Sequence, residues 1–140
     1  MMKRKMLVIL FALAALSLAA GCGETKTKTR IQQVGPAEAY QLIQQHRDDP
    51  HFVILDIRTP QEFVAAHIQG AMNVDFYAPD FKQQLDQLPK DKTYLVYCNS
   101  GNRSGQAMPL FRELGFGQVY ELKGGVQAWH QAGYPLVSGQ

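Results

Sequence analysis

The sequence predicts an α/β fold, with a mostly parallel five-stranded sheet covered on both faces by helices. Short apolar segments rich in β-branched and aromatic residues alternate with segments of helical pattern along the chain. The length of 140 residues and the hydrophobic fraction of 46% are typical of one globular domain, and no internal repeat is visible. One folded domain over residues 31–140 is therefore expected.

The first half of this domain contains two predicted strands separated by a helix. Residues 31–34 form a short strand, and Gly35-Pro36 ends it and begins a helix over 37–45. Apolar residues recur along that helix at helical spacing, so it should pack on the sheet. Residues 52–55 form the next buried strand, and Glu62 lies on the helix that follows.

The second half continues the alternation. Its predicted elements are a strand over 73–75, helix 81–88, strand 94–97, helix 104–114, strand 119–122 and a last helix opened by Gly124-Gly125. Pro109 lies inside the fourth helix, where its missing N–H is expected to kink the chain. The two glycines are compatible with a tight turn, or with a close approach to the loop after residue 97.

The first 21 residues have the pattern of an export signal. The basic residues Lys3-Arg4-Lys5 precede an apolar run over 6–20, which is short for a transmembrane helix. The segment Leu18–Cys22 resembles a bacterial lipoprotein signal, in which the peptide is cut before Cys22 and Cys22 is acylated. Ala19 departs from that pattern, which favours leucine there, and a plain secretory signal is the alternative.

Both interpretations predict an exported protein. With acylated Cys22, residues 22–30 would be a polar tether and the domain would be lipid-anchored in the bacterial cell envelope, facing the periplasm or the exterior. Without residues 1–21, eleven basic and twelve acidic residues remain, a net charge of −1 against +2 for the whole chain. This balance gives no support for nucleic-acid binding.

Cys98 is the candidate nucleophile. It follows the apolar run Tyr94–Tyr97, and so lies at the carboxyl end of a strand, where open α/β sheets bind ligands. The next helix begins near Ser104, and its free N–H groups and dipole can stabilise a thiolate or a bound oxyanion. Gly101 allows positive φ in the loop, and Arg103 adds a planar cation suited to anions.

The alternative is that Cys98 is an inert buried thiol, as free cysteines often are. The polar or glycine residues after it argue against burial in an apolar core. A second set of charged residues follows strand 52–55. Asp56, Arg58 and Glu62 are spaced to form an ion-pair frame that fixes this strand-end loop.

Cys98-x-x-Gly101-x-Arg103-Ser104 resembles the active-site loop of rhodanese-domain sulfurtransferases. Four residues separate the cysteine from the arginine, whereas related dual-specificity phosphatases have a longer loop with five. The family's Asp-x-Arg, Glu-Phe and His-Ile-x-Gly-Ala motifs are also present over 56–71, except that Ala66 replaces the usual glycine. The closing strand, Gly-Gly turn and Trp129 resemble the family's last motif.

This resemblance implies sulfur transfer by double displacement. Thiosulfate or a similar anionic donor would load Cys98 as a persulfide, and cyanide, a thiol or a sulfur-accepting protein would remove the sulfur. Arg103 and the loop's backbone N–H groups would bind the donor, and the frame of Asp56, Arg58 and Glu62 would be structural. The donor-binding residues would be Asn99, Ser100, Gly101, Asn102, Arg103 and Ser104.

No cofactor or metal is implied, because the four histidines are scattered and lack ligand spacing. Only Cys22 and Cys98 are present, so acylation of Cys22 would leave Cys98 as the single free thiol. Three other functions remain open: a cysteine-based phosphatase or arsenate reductase, a non-enzymatic persulfide carrier or sensor, and a catalytically silent scaffold.

Overall fold

The computed structural model describes residues 28–139. The predicted signal peptide over 1–21, the acylation site Cys22 and most of the predicted tether lie outside these residues, so those predictions are untested. None of the helices within 28–139 is long and apolar enough to cross a membrane.

The predicted parallel sheet is present. Its strands are β1 (Arg30–Val34), β2 (Phe52–Asp56), β3 (Met72–Asn73), β4 (Thr93–Tyr97) and β5 (Gln118–Leu122). They lie in the order β1-β5-β4-β2-β3, and every neighbouring pair is parallel. Only β3 differs appreciably from the expected 73–75, since it is a two-residue edge strand that begins one residue earlier.

Five helices connect the strands. They are α1 (Pro36–Gln45), α2 (Pro60–Ala65), α3 (Phe81–Asp86), α4 (Asn102–Glu113) and α5 (Gly125–Gln131). A capping box begins α2, because the Thr59 side chain accepts from the Glu62 N–H while the Glu62 carboxylate accepts from the Thr59 N–H. Helix α4 continues through Pro109, where a kink is expected.

The helices form two apolar cores, one on each face of the sheet. Along β4, Tyr94 and Val96 pack in the core with α3 and α4, whereas Leu95 and Tyr97 pack in the core with α1 and α5. This alternation is the two-residue period of a strand covered on both faces. β4 is therefore the most enclosed strand, and Cys98 follows it directly with 1% of its surface exposed.

Candidate active site

The loop after β4 turns back on the thiol of Cys98. Gly101 lies just before α4 and has φ +92°. Glycine adopts this conformation without steric cost. The N–H groups of Gly101 and Ser104 donate to Cys98 Sγ at 3.1 and 3.4 Å. The sulfur therefore faces the amino-terminal end of α4, where free N–H groups and the helix dipole favour negative charge.

Burial and hydrogen bonding act on the Cys98 thiol in opposite directions. Burial raises its pKa, whereas the backbone N–H groups of Ser104, Gly101 and Ser100 lower it. The hydrogen bonds prevail, and the pKa of Cys98 lies below its usual value. This direction agrees with the expectation from the helix-end position.

Helix α5 binds the Cys98 loop through hydrogen bonds to its carbonyl groups. The N–H groups of Val126 and Gln127 donate to the carbonyls of Cys98 and Asn99 at 2.9 and 3.0 Å. A Cβ on Gly125 would lie 2.4 Å from the Cys98 carbonyl oxygen and 2.5 Å from that of Asn99. Of the two interpretations of the Gly-Gly pair, the close approach to the Cys98 loop is thus present in the structure.

Arg103 lies beside the loop with its guanidinium held by Glu62. Its Nη1 and Nη2 donate to the two carboxylate oxygens at 2.8 and 2.7 Å, and the guanidinium carbon lies 5.4 Å from the ring centre of Tyr77. The ion pair lowers the pKa of Glu62 to about 2 and raises the pKa of Arg103. Arg103 therefore brings a fixed cation to the loop, although its planar fork is already paired.

The expected three-residue frame is divided into two ion pairs. Arg58 pairs with Asp56 at 2.6 Å, while Glu62 pairs with Arg103, 41 residues away, rather than with Arg58.

The Asp56–Arg58 pair is buried: Asp56 is fully buried and Arg58 is 5% exposed. Arg58 also donates to the Ala66 carbonyl at 2.6 Å, and the Asn73 amide donates to the carbonyls of Asp56 and Arg58. This pair therefore fixes the loop after β2, as expected.

The loop residues predicted to bind the donor do not all face the sulfur. Ser100 and Asn102 are exposed, and the Asn102 side chain accepts from Gln106 instead. Asn99 is half-buried and uses its carbonyl to bind α5. The backbone N–H groups of Gly101 and Ser104 donate to Sγ, and the thiol in turn donates to the hydroxyl of the fully buried Ser104.

Glu121 was not expected at the site. Its Oε1 accepts from the Ser104 hydroxyl at 2.8 Å, and that hydroxyl lies 3.5 Å from Cys98 Sγ. Its Oε2 accepts from the Gln33 amide at 3.0 Å, and Glu121 is only 6% exposed. The sequence contained one signal for it: on β5 an acidic residue shares the two-residue phase of the buried Val119.

Across residues 28–139, no group of three or more His, Cys, Asp or Glu side chains is arranged to hold a metal ion. His67, a possible general base by residue type, is buried, and its Nδ1 lies 2.8 Å from the Phe63 carbonyl oxygen. Its ring also stacks on that of Phe63 at 3.8 Å. These contacts indicate a structural histidine.

Comparison with known proteins matches the same region. Residues 36–132 match the family model of the rhodanese-like domain. The chain is 32% identical over 105 residues to a sulfurtransferase of Allochromatium vinosum, covering 75% of this chain and 96% of that protein. It is 34% identical over 113 residues to thiosulfate sulfurtransferase GlpE of Pseudomonas putida, covering 80% and 96%.

Structural comparison agrees. The crystal structure of a rhodanese-related protein from Thermoplasma volcanium has a TM-score of 0.65 and 29% sequence identity, covering 76% of this chain and 97% of that one. Some other curated relatives are longer, and the chain spans 54% and 59% of two of them. On the family match, the two curated relatives and the shared fold, the chain belongs to the rhodanese-like domain family.

Proposed function

We propose that this protein is a sulfurtransferase that takes sulfane sulfur from thiosulfate and carries it as a persulfide on Cys98. The observation that supports this most directly is the pair of N–H groups, from Gly101 and Ser104, that donate to Cys98 Sγ. They favour the thiolate, which is the nucleophilic form of cysteine. The names of the Allochromatium and Pseudomonas relatives point to the same reaction class.

In the first step, the Cys98 thiolate attacks the outer sulfur of thiosulfate. A bond forms between Sγ and that sulfur, the S–S bond of thiosulfate breaks, and sulfite leaves with its electron pair. The product is an anionic persulfide on Cys98. Because the donor is a dianion, the Arg103 cation and the N–H groups of the loop would offset the charge that accumulates at the loop.

In the second step, an acceptor attacks the terminal sulfur of the persulfide. Cyanide would leave as thiocyanate and a thiolate would leave as a persulfide, and either transfer returns the electron pair of the broken S–S bond to Cys98. The thiolate is thereby regenerated. Each step exchanges one sulfur bond for another, so the cycle needs no external oxidant or reductant.

Intact-mass measurement of the purified protein after thiosulfate treatment, with and without cyanide, tests this function. The expected result is a gain of one sulfur atom that cyanide removes and that the Cys98→Ser variant never shows. No gain on a thiol that still reacts with iodoacetamide would exclude thiosulfate as donor and favour a phosphatase or arsenate reductase. Sulfur that is gained but resists cyanide would favour a carrier or sensor.

We further propose that the protein is exported and anchored to the membrane through acylated Cys22, with the domain facing the periplasm or the cell exterior. The basic start, the apolar run over 6–20 and the position of Cys22 support this proposal. Labelling of cells with radioactive palmitate, followed by isolation of the wild type and a Cys22→Ala variant, tests it. The anchor predicts label on the wild type and none on the variant; an unlabelled wild type would contradict it.

A further inference from the structure

A buried carboxylate lies one hydroxyl away from the Cys98 sulfur. The Ser104 hydroxyl is 3.5 Å from Cys98 Sγ on one side and 2.8 Å from Glu121 Oε1 on the other. All three residues are buried, with exposed fractions of 1% for Cys98, 0% for Ser104 and 6% for Glu121. The hydrogen bonds that link these three side chains are thus shielded from water. Their electrostatic effects are larger in the protein interior than they would be in water.

The Ser104 hydroxyl has one proton, so it cannot donate to both neighbours at once. When Glu121 is ionised, the hydroxyl donates to the carboxylate and leaves only a lone pair for the sulfur, which suits the protonated thiol. When Glu121 is protonated, its O–H can donate to Ser104, and the hydroxyl proton can then turn toward a thiolate. The protonation of Glu121 and the ionisation of Cys98 are therefore linked through this hydroxyl.

We propose that Glu121 is a positioning residue for Cys98, acting through the Ser104 hydroxyl to control when the thiolate forms. As Cys98 ionises, its S–H bond breaks and the proton passes to Ser104 Oγ, while the original hydroxyl proton of Ser104 passes to Glu121 Oε1. Net charge is conserved and no oxidant is needed. The proposal rests on the proposed function, in which Cys98 is the nucleophile.

The surroundings of Glu121 leave it without a cationic partner among the described residues. Gln33, directly opposite on β1, donates a neutral amide hydrogen bond to Oε2 at 3.0 Å. On the other side are Ser104 of α4 and the Cys98 thiol after β4. Arg103 is paired with Glu62, and Lys123, the next charged residue along the chain, is exposed. An ionised Glu121 therefore opposes a thiolate at Cys98 through both charge and hydroxyl orientation.

A Glu121→Gln variant imitates the protonated carboxyl group. Its amide can donate to Ser104 Oγ, which frees the hydroxyl proton for the sulfur, and its oxygen can accept from Gln33. Its side chain has nearly the same shape as glutamate, so packing is conserved. The variant should form the thiolate at lower pH than the wild type, whereas damage to the site would slow the reaction of Cys98 at every pH.

The test is the rate of Cys98 alkylation by iodoacetamide on the full chain between about pH 5 and 9, with the labelled peptide identified by mass spectrometry. Below neutral pH, Glu121→Gln should react about three- to tenfold faster than the wild type, and the rates should converge at high pH. The wild-type profile should be broader than a single ionisation, and the variant profile should fit one.

Two further variants and one control complete the test. Gln33→Leu, at an exposed position, removes a hydrogen bond that favours the ionised carboxylate and should shift the profile in the same direction. In a Ser104→Ala background, Glu121→Gln should give a smaller change. Glu38→Gln, at an exposed glutamate of α1, should leave the profile unchanged.

The proposal would be overturned if the pH profiles of Glu121→Gln and Gln33→Leu were both the same as that of the wild type. It would also be overturned if the folded Glu121→Gln variant were alkylated more slowly than the wild type at all pH values. Thermal unfolding establishes whether each variant is folded. If Glu121→Gln is not folded, the pH profile of Gln33→Leu decides the test. Thiosulfate loading is a separate readout. A shifted profile without persulfide would reject the proposed function alone, and persulfide with an unshifted profile would reject the control by Glu121 alone.

Discussion

At the scale of single residues, Glu62 joins the two loops beside Cys98. Its carboxylate accepts from the Thr59 N–H and hydroxyl at the start of α2, and it binds both terminal nitrogens of Arg103. One side chain therefore caps a helix after β2 and positions the cation beside the Cys98 loop. With this partner, the Arg103 side chain is only 13% exposed.

Glu62→Gln should make the protein less sensitive to acid. The folded state lowers the pKa of Glu62 from 4.5 to about 2, chiefly through Arg103, so the ionised carboxylate stabilises the fold above pH 4.5. That stabilisation is lost as pH falls from about 4.5 to 2. Because Glu62 is 33% exposed, solvent screening limits the contribution to about 1 kcal/mol.

Urea unfolding of the wild type and Glu62→Gln at pH 7 and in this acid range measures the effect. The variant should be less stable at pH 7, and the difference should shrink as the wild type loses its carboxylate charge. A difference independent of pH would show that the ion pair is not responsible. Glu38→Gln serves as the exposed control.

At the scale of elements, the Cys98 loop is held between two helices. Helix α4 directs N–H groups at the sulfur, and α5 donates N–H groups to the carbonyls of Cys98 and Asn99. The loop thus has hydrogen bonds on both its sulfur and its carbonyl sides. This arrangement requires that the first turn of α5 approach the loop without a side chain between them, which is the role of Gly125.

Gly125→Ala should both destabilise the fold and slow the reaction of Cys98. Its Cβ would lie 2.4 Å from a backbone oxygen, which cannot move aside as a flexible side chain could. We expect a loss of about 2–3 kcal/mol in the free energy of unfolding. Gly133→Ala is a matched control, because Gly133 also has positive φ, at +82°, but open space around its Cβ position.

Chemical unfolding and thiosulfate loading of both variants separate the two causes. Gly133→Ala should lose only about 1 kcal/mol, from backbone strain alone, and should load sulfur like the wild type. Equal losses in the two variants would mean that the close contact between Gly125 and the Cys98 loop has no energetic importance.

At the scale of the whole molecule, local patterns and long-range contacts were not equally predictable. The alternation of strands and helices and the position of Cys98 at a strand end follow from neighbouring residues, and the structure has both. The Glu62–Arg103 pair spans 41 residues, and Glu121 reaches Ser104 only because β5 lies beside β4. Such contacts depend on strand order and side-chain direction, which residue spacing does not determine.

Strand β1 shows the same dependence on the complete sheet. The family match begins at residue 36, after β1 has ended at Val34. Yet β1 pairs with β5 along its whole length, buries Val34 in the core with α1 and α5, and supplies Gln33 to Glu121. The residues before the family match therefore complete both the sheet and the hydrogen-bond chain behind Cys98.

A chain that begins at Gly35 should consequently be less stable than one that begins at Lys28. Loss of β1 leaves the N–H and C=O groups of β5 unpaired along one edge and uncovers apolar surface that Val34 had covered. We expect the melting temperature to fall by at least about 5 °C. Thermal unfolding with size-exclusion chromatography measures the change, and the exposed strand edge should also increase self-association. Equal melting temperatures and equal monomer fractions for the two chains would show that the sheet is stable without β1.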